Sequence, residues 1–210
     1  MATCYRDRID AGRRLAEPLQ AVLTRGALIF GIPRGGIPVG LEAAQTLAPA
    51  FDVFVSRKLG APAHPEFGIG AIAEGGGYVL DRQAVESLRI TPEQIDEMLE
   101  REGRRIASYV RTFRGDRPPP SVAGLEVAVI DDGLATGVTM QAAVASLRGM
   151  GAARIVAAAP VASAQAVRAL EAVADAVVVP AVPAEFFAVG QFYARFEQLS
   201  DEEVVAMLRR

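Results

Sequence analysis

The sequence predicts an α/β fold in which a doubly wound, mostly parallel central sheet is flanked by helices. Two observations predict it. Short apolar runs alternate with amphipathic stretches along the chain, and several of the runs are apolar at consecutive positions, as strands buried on both faces of a parallel sheet must be. Helices that join parallel strands make right-handed crossovers, so this alternation predicts a doubly wound sheet.

Each element has its own local signal. The apolar runs predict strands at residues 27–32, 51–56, 126–131, 154–159 and 176–179. A weaker pair, 70–73 and 78–80, flanks three glycines and predicts a hairpin. Helical spacing of apolar residues, or a capping signal, predicts helices at 7–23, 37–47, 91–113, 140–148, 164–173 and 200–210. Thr91 with Gln94, and Ser200 with Glu203, have the spacing of capping boxes.

The 210 residues predict a single domain. Residues 81–121 interrupt the strand–helix alternation and predict a helical insertion, and residues 181–210 are expected to form a C-terminal tail. The net charge of -3, without a basic stripe, argues against a nucleic-acid binder. No apolar run is long enough to span a membrane, and the N-terminus lacks a signal-peptide core. One cysteine, Cys4, allows no intramolecular disulfide, so a cytoplasmic location is expected.

The most informative stretch follows the predicted strand 126–131. Two adjacent carboxylates, Asp131 and Asp132, end the strand, and a loop of small residues leads into a helix. Such a loop presents backbone N–H groups and a favourable helix dipole to an anion, which suits a phosphate. Ionised carboxylates only accept hydrogen bonds, whereas sugar hydroxyls donate them. A ribose 5-phosphate unit would satisfy both, with its hydroxyls on the acids and its phosphate on the loop. The predicted phosphate-binding residues are Ala135, Thr136, Gly137, Val138 and Thr139.

Other nucleotide-binding motifs do not fit this stretch. A Walker A loop needs a lysine before its Ser or Thr, and the only lysine of the chain is Lys58, after Arg57. The G-x-G-x-x-G fingerprint is absent as well. The remaining alternative is a tight turn with a helix cap, which would need neither the acidic pair nor so many small residues.

Two further loops follow the first two predicted strands. Arg34, Gly35 and Gly36 combine a bidentate cation with backbone that an anion can approach closely, which suits pyrophosphate. The alternative is an ordinary strand–helix turn with a solvated arginine. Residues 56–70 are rich in Gly and Pro and hold the only lysine and the only histidine, His64. Such a segment is predicted to be a loop that could act as a lid.

Residues 131–139, with the sequence DDGLATGVT, resemble the binding motif for phosphoribosyl pyrophosphate (PRPP) of type I phosphoribosyltransferases. The resemblance extends from about residue 27 to residue 180, without the insertion. It is closest to loosely characterised members that carry Arg-Lys-Leu-Gly and Gly-Ala-Ile-Ala segments. It implies the fold of that family, with a small hood. It also implies transfer of the 5-phosphoribosyl group of PRPP to a nitrogen acceptor, such as a nucleobase, with release of pyrophosphate.

The resemblance also implies a role for each loop. Asp131 and Asp132 would bind the ribose, and the loop that contains Arg34 would contact pyrophosphate and hold a non-proline cis peptide. Arg57 and Lys58 match the start of the catalytic loop of orotate phosphoribosyltransferase and would act on pyrophosphate, whereas His64 is interpreted as an ordinary loop residue. Mg²⁺ is implied as a bridge between ligand oxygens, so no metal site made by the protein is predicted.

The acceptor and the partners are less defined. Rings in the tail could stack on a nucleobase, but packing against the sheet is the preferred interpretation for most of them; they are Phe186, Phe187, Phe192, Tyr193 and Phe196. Two alternatives stay open on this fold: a regulatory protein that binds PRPP without turnover, and a diphosphokinase similar to PRPP synthase, for which the sequence shows no nucleotide site. The expected partners are small molecules, and a homodimer is left open.

Overall fold

The computed structural model describes residues 5–47 and 49–209 of the chain. Cys4 and the predicted end of the last helix at Arg210 lie outside these residues. The helices are α1 Arg8–Gln20, α2 Gly36–Leu47, α3 Arg82–Ser87, α4 Pro92–Arg114, α5 Val138–Gly149, α6 Ala164–Glu171 and α7 Asp201–Leu208, with a 3-10 helix at Val189–Phe192. The strands are β1 Leu28–Gly31, β2 Ala50–Val53, β3 Ser56–Gly60, β4 Gly68–Ala73, β5 Tyr78–Leu80, β6 Glu126–Ile130, β7 Arg154–Ala158 and β8 Ala176–Val178.

The central sheet has five parallel strands in the order β2-β1-β6-β7-β8. Alternate residues of these strands enter two different cores. Phe30 and Val129 pack on one face with α5 and α6, while Ile29 and Ala128 pack on the other face with α1 and α2. Helices therefore cover both faces, and the predicted α/β fold class is confirmed. From β1 the chain continues to β2 on one side, whereas β6, the next strand of this sheet along the chain, lies on the other side of β1. The carboxyl ends of β1 and β6 are therefore the topological switch point.

A second sheet of three antiparallel strands, β3-β4-β5, lies outside the central one. Its β4–β5 hairpin was expected, but the prediction of a loop over residues 56–70 is wrong for the first part of that segment. Ser56 to Gly60 pair with β4, and the side chains of Ser56 and Leu59 are buried. The strand escapes detection because Arg57 and Lys58 interrupt its apolar pattern and because prolines and glycines follow closely. Only residues 61–67 form the connecting loop.

The insertion consists of α3 and α4, and α4 begins with the predicted capping box of Thr91 and Gln94. Its last residue, Arg114, anchors α4 to both sheets. The Arg114 guanidinium donates to the Val53 carbonyl at 2.7 Å and to the Asp52 carboxylate at 3.1 Å, and it also pairs with Glu74 of the β4–β5 turn. The Arg114 side chain is only 2% exposed, so this is a buried ion cluster that fixes the insertion against the sheets.

The C-terminal tail packs against the N-terminal segment. The Tyr5 N–H donates to the Phe192 carbonyl at 2.8 Å, and the Ala194 N–H donates to the Tyr5 carbonyl at 2.7 Å. The Tyr5, Phe192 and Tyr193 rings are buried together. The first described residues and the part of the tail at residues 192–194 therefore meet above the carboxyl ends of the parallel strands. No helix in residues 5–47 or 49–209 is both long and apolar enough to cross a membrane.

Candidate active site

The acidic pair lies where β6 ends at the switch point. The Ile32 N–H donates to the Ile130 carbonyl at 2.9 Å, and the Asp131 N–H donates to the Ala158 carbonyl at 3.2 Å. Both neighbouring strands therefore fix the backbone that carries the acids. The Asp132 N–H donates to Asp131 Oδ1 at 2.8 Å, which orients the first carboxylate along the end of the strand.

The loop that precedes α2 lies directly on the second acid. A Cβ atom on Gly35 would be 1.9 Å from Asp132 Oδ2, and one on Gly36 would be 2.4 Å from the Ile130 carbonyl. Only glycine allows this approach, because real Cβ atoms do not come so close to another heavy atom. The Pro33–Arg34 peptide is cis, as the resemblance implied. The structure thus brings the predicted pyrophosphate loop and the predicted ribose acids into contact.

The loop between β6 and α5 presents unpaired backbone donors. Gly137 has a φ of +72° and is the N-cap of α5, which has no side-chain cap. The loop carbonyls are used within the protein: Ser163 donates to Leu134 through its N–H and to Ala135 through its hydroxyl. By contrast, within the described residues the N–H groups from Ala135 to Thr139 donate no hydrogen bond to the protein. Such an uncapped helix start, preceded by free N–H groups, is a ready site for a phosphate.

The environment of the two carboxylates opposes their ionisation. Burial and the nearby charge of Asp132 raise the pKa of Asp131 well above its usual range. Burial also raises the pKa of Asp132, although the guanidinium of Arg8 works in the opposite direction. A ligand that donates hydrogen bonds to these oxygens would stabilise their charged forms.

Arg8 of α1 is a site residue that the sequence analysis missed. Its Nε donates to Asp132 Oδ2 at 2.7 Å, and the two side chains are only 12% and 14% exposed. The Arg8 guanidinium also donates to the Glu197 carbonyl at 2.9 Å and lies 3.9 Å from the centroid of the Phe196 ring. Nothing near Arg8 in the sequence marks it, because its partner is 124 positions away.

The two predicted pyrophosphate arginines share one small cavity. Arg34 and Arg57 line a space of about 140 Å³ together with Tyr109 and Phe113 of α4 and with Ser56 at the start of β3. Arg34 Nη1 lies 3.9 Å from Asp201 Oδ1, and both side chains are more than one-third exposed. Arg57 is held by Glu102 of α4, with 2.9 Å between Nε and Oε2. The insertion therefore reaches the predicted site.

Lys58 does not join the two arginines, because successive side chains of a strand point to opposite faces. It lines a separate cavity of about 590 Å³ that Thr136 and Val138 of the phosphate loop also border. His64 lies exposed in the loop 61–67. Sequence reasoning grouped Arg57 with Lys58 as neighbours in a loop, and the hidden β3 strand separates them.

Most of the tail rings are occupied by packing. Phe192 and Tyr193 are buried, Phe186 packs at a tilt against Phe192 with 5.2 Å between ring centroids, and Phe187 is 84% exposed. The Tyr193 hydroxyl donates to the Asp132 carbonyl at 2.5 Å, so the tail supports the acidic pair. Phe196 borders a cavity of about 290 Å³, which is also lined by Arg8, Arg34, Gly35, Asp132, Gln198 and Leu199.

The donor set at the switch point fits a metal held mainly by its ligand. Among the described residues, no group of three or more His, Cys, Asp or Glu side chains could hold a metal ion. Asp131 and Asp132 supply carboxylate oxygens, which Mg²⁺ prefers, and Mg²⁺ commonly binds through one or two carboxylates together with phosphate oxygens of a substrate. These residues therefore suit a Mg²⁺ ion that arrives with a phosphorylated ligand.

Comparison with known proteins shows which family the chain belongs to. The family model of the phosphoribosyl transferase domain matches residues 24–193. The chain belongs to the type I phosphoribosyltransferase family. The matched range includes the acidic pair, β3 and the two predicted anion-binding loops, residues 34–36 and 135–139, which we call the anion loops.

Related proteins cover nearly all of this phosphoribosyltransferase chain. Two curated proteins of Mycobacterium tuberculosis, from strains H37Rv and CDC 1551, are each named "Putative phosphoribosyl transferase" and are 40% identical over 206 residues. The match covers 98% of the chain but 46% of each relative, so the chain spans about half the length of these relatives.

Among solved structures, the protein TT1426 from Thermus thermophilus is 39% identical, with a TM-score of 0.83 and coverage of 98% of this phosphoribosyltransferase chain and 97% of that one. The AQ2163 protein from Aquifex aeolicus is 14% identical, with a TM-score of 0.50 and coverage of 83% and 74%. The second comparison shows a shared fold alone.

Proposed function

We propose that this chain transfers the 5-phosphoribosyl group of PRPP to a nitrogen acceptor of the nucleobase class and releases pyrophosphate. One observation carries the proposal. The acidic pair, five residues with unpaired N–H groups and the contact between Gly35 and Asp132 all lie at the carboxyl ends of β1 and β6. Open α/β sheets bind ligands at this position, and PRPP carries a sugar diol between a phosphate and a pyrophosphate.

The reaction requires charge stabilisation at one end of the sugar. The bond between the anomeric carbon and pyrophosphate breaks, its electron pair leaves with pyrophosphate, and the acceptor nitrogen bonds to the same carbon and then loses its proton to water. Fixed donors aimed at the departing oxygens lower the barrier of such a step. Exclusion of water prevents hydrolysis of PRPP instead of transfer.

The positions of the side chains suggest which part of PRPP each would bind. We assign the ribose hydroxyls to Asp131 and Asp132, the 5-phosphate to the N–H groups from Ala135 to Thr139, and pyrophosphate to the loop at Arg34 with Arg57. Lys58 borders the cavity that Thr136 also lines, so we assign Lys58 to the 5-phosphate rather than to pyrophosphate. Mg²⁺, bound with PRPP, would neutralise negative charge that develops on the leaving pyrophosphate.

The cavity beside Phe196 is our candidate for the acceptor. It opens between the pyrophosphate loop and the tail, and the amide of Gln198 could both donate to and accept from a heterocycle. The test is incubation of the protein with PRPP, MgCl₂ and a panel of nucleobases, with release of pyrophosphate as the readout. Base-dependent release is the expected result.

A regulatory protein that binds PRPP without turnover is the second candidate. It is favoured by one observation: the Arg8 guanidinium covers one face of Phe196, and Phe192 and Tyr193 are buried, so few ring faces are free to stack on a base. Tight PRPP binding, with no pyrophosphate release for any base in the panel, would replace the first candidate with this one.

The assignment of the ribose has its own test. Replacement of both acids, Asp131→Asn with Asp132→Asn, should weaken PRPP binding at least tenfold while the fold survives, because two acceptors of charge-assisted hydrogen bonds become neutral. Calorimetric titration with PRPP and MgCl₂ measures the change. An affinity equal to that of the unmodified protein would reject the assignment.

A further inference from the structure

The insertion holds one of the pyrophosphate arginines by a buried carboxylate. Arg57 Nε lies 2.9 Å from Glu102 Oε2, and the Glu102 side chain is only 5% exposed whereas that of Arg57 is 30% exposed. The pair joins β3 to the middle of α4. Since a long arginine side chain otherwise has many rotamers, such a contact limits where its guanidinium can lie.

Glu102 serves more than one cation. Its other oxygen, Oε1, pairs with Arg105 at 2.8 Å and with Arg101 at 3.3 Å, and both of these arginines are about half exposed. Three guanidiniums thus share one carboxylate, and the cluster keeps a net positive charge. Burial would raise the pKa of Glu102, but these arginines outweigh it and hold the pKa below its usual range. Glu102 is therefore a permanent anchor at neutral pH.

An aromatic ring supports the same arginine. The Arg57 guanidinium lies 5.3 Å from the centroid of the Tyr109 ring, which itself stacks on Phe113 at 5.7 Å. This distance is within the range of a cation–π interaction. Tyr109 and Phe113 also line the 140 Å³ cavity that Arg34 and Arg57 share. The insertion thus contributes both the anchor of Arg57 and a wall of the cavity next to the cis peptide.

We propose that Glu102 and Tyr109 are positioning residues, which hold the Arg57 guanidinium against the pyrophosphate group of the substrate beside Arg34. The inference rests on the proposed function and gives the insertion a part in it. A guanidinium that is already in place needs no reorganisation when negative charge develops on the leaving pyrophosphate. It therefore stabilises the transition state more effectively.

The test measures the binding of the two halves of PRPP separately. Affinities for inorganic pyrophosphate and for ribose 5-phosphate are measured by calorimetry with MgCl₂ for the full chain and for Glu102→Gln. We expect pyrophosphate affinity to fall about tenfold and ribose 5-phosphate affinity to stay unchanged, because Arg57 is the one partner of Glu102 that we assign to PRPP. The matched control is Glu100→Gln on the same helix. The Glu100 side chain is 72% exposed and, within the part of the chain that the structure describes, pairs only with Arg104. This control should bind both ligands as the unmodified protein does.

A second pair of variants keeps the proposal testable if Glu102→Gln folds poorly. Tyr109→Leu removes the ring but keeps an apolar side chain against Phe113, and it should weaken pyrophosphate binding selectively. Tyr109→Phe keeps the ring and should restore normal binding. The positioning role would be overturned if a variant lost the same affinity for both ligands. It would also be overturned if a folded Glu102→Gln or Tyr109→Leu variant kept its affinity for pyrophosphate. If the unmodified protein bound neither ligand nor PRPP, the proposed function itself would fall.

Discussion

Two neighbouring carboxylates have different surroundings in this chain. Asp132 has a cation on one side and Gly35 on the other, whereas Asp131 faces the charge of Asp132 and accepts the Asp132 N–H. The acids were evident from the sequence because they are adjacent to each other and to the phosphate loop. Arg8 and Glu102 were not, because each acts on a residue distant in sequence and no local pattern marks it. Side chains that meet only through tertiary packing leave no signal in a single sequence.

The raised pKa of Asp131 predicts a pH-dependent stability. The folded protein binds the proton of this carboxyl more tightly than the unfolded chain, where an aspartate has a pKa of about 3.9. This contribution to stability is therefore complete below the unfolded pKa and is lost as the pH rises through the folded pKa. Asp131→Asn has no such loss, and its amide oxygen can still accept the Asp132 N–H.

We expect the free energy of unfolding of Asp131→Asn at pH 7 to exceed that of the unmodified protein by about 0.5–2 kcal/mol, as is common when a functional group that costs stability is replaced. The variant should therefore unfold at a higher urea concentration. The difference should shrink as the pH falls toward 4. Urea unfolding over a pH series measures it, and two curves that run parallel from pH 4 to pH 8 would contradict the expectation.

At the scale of elements, the parallel strands and the capped helices followed from local patterns. The central strands are apolar on both faces, and α4 begins with Thr91, Pro92 and Gln94 in the order that a capped helix needs. The strand β3 could not be predicted in the same way. It is half polar, and it is stable because β4 pairs with it and because α4 and α5 pack near it. The proposed role of the insertion was equally hidden, because Glu102 contacts an arginine 45 positions away.

The anchor of α4 gives a prediction about stability. Arg114→Met removes the cation that Glu74 pairs with and leaves the buried Asp52 with only the more distant Arg117, at 3.7 Å; removal of one partner from such a buried cluster costs about 3–5 kcal/mol. The matched control is Arg104→Met, since the Arg104 side chain is 67% exposed and exposed pairs contribute about 0–1 kcal/mol. The free energy of unfolding in urea compares the two variants. A cost for Arg114→Met no larger than that of the control would mean that the cluster does not hold α4 in place.

At the scale of the whole molecule, residues 5–8 and residues 193–196 converge on the switch point. Tyr5 and Arg8 from the N-terminal segment, and Tyr193 and Phe196 from the tail, surround the acidic pair. The sheet that carries the anion loops has helices on both faces, and Arg8 and Tyr193 both contact Asp132 at its carboxyl edge. The sequence predicted the sheet and its loops. The contacts that residues 5–8 and 193–196 make around the acidic pair were not predicted, because only the folded chain brings these side chains together.

This convergence predicts that PRPP stabilises the entire fold. A ligand that binds only the native state at 100 times its Kd adds about 2.7 kcal/mol to the free energy of unfolding. Differential scanning calorimetry with PRPP and MgCl₂ should therefore show one transition, moved up by several degrees. Free ribose, which lacks both phosphate groups, serves as the control and should leave Tm unchanged. The absence of any upward movement at saturating PRPP would argue against a site at this edge.

Because side chains alternate along β3, this strand would distinguish intact PRPP from its hydrolysis products. Arg57 and Lys58 are one residue apart on the same strand, yet they border cavities beside different anion loops. A molecule whose two charged ends are covalently joined can engage both sides of this strand at once, and its second contact is then formed at high effective concentration. Ribose 5-phosphate and pyrophosphate, as separate molecules, each gain one contact only. The strand would therefore favour intact PRPP over an equimolar mixture of its hydrolysis products, and release would become easier as soon as the bond between the two halves is cleaved.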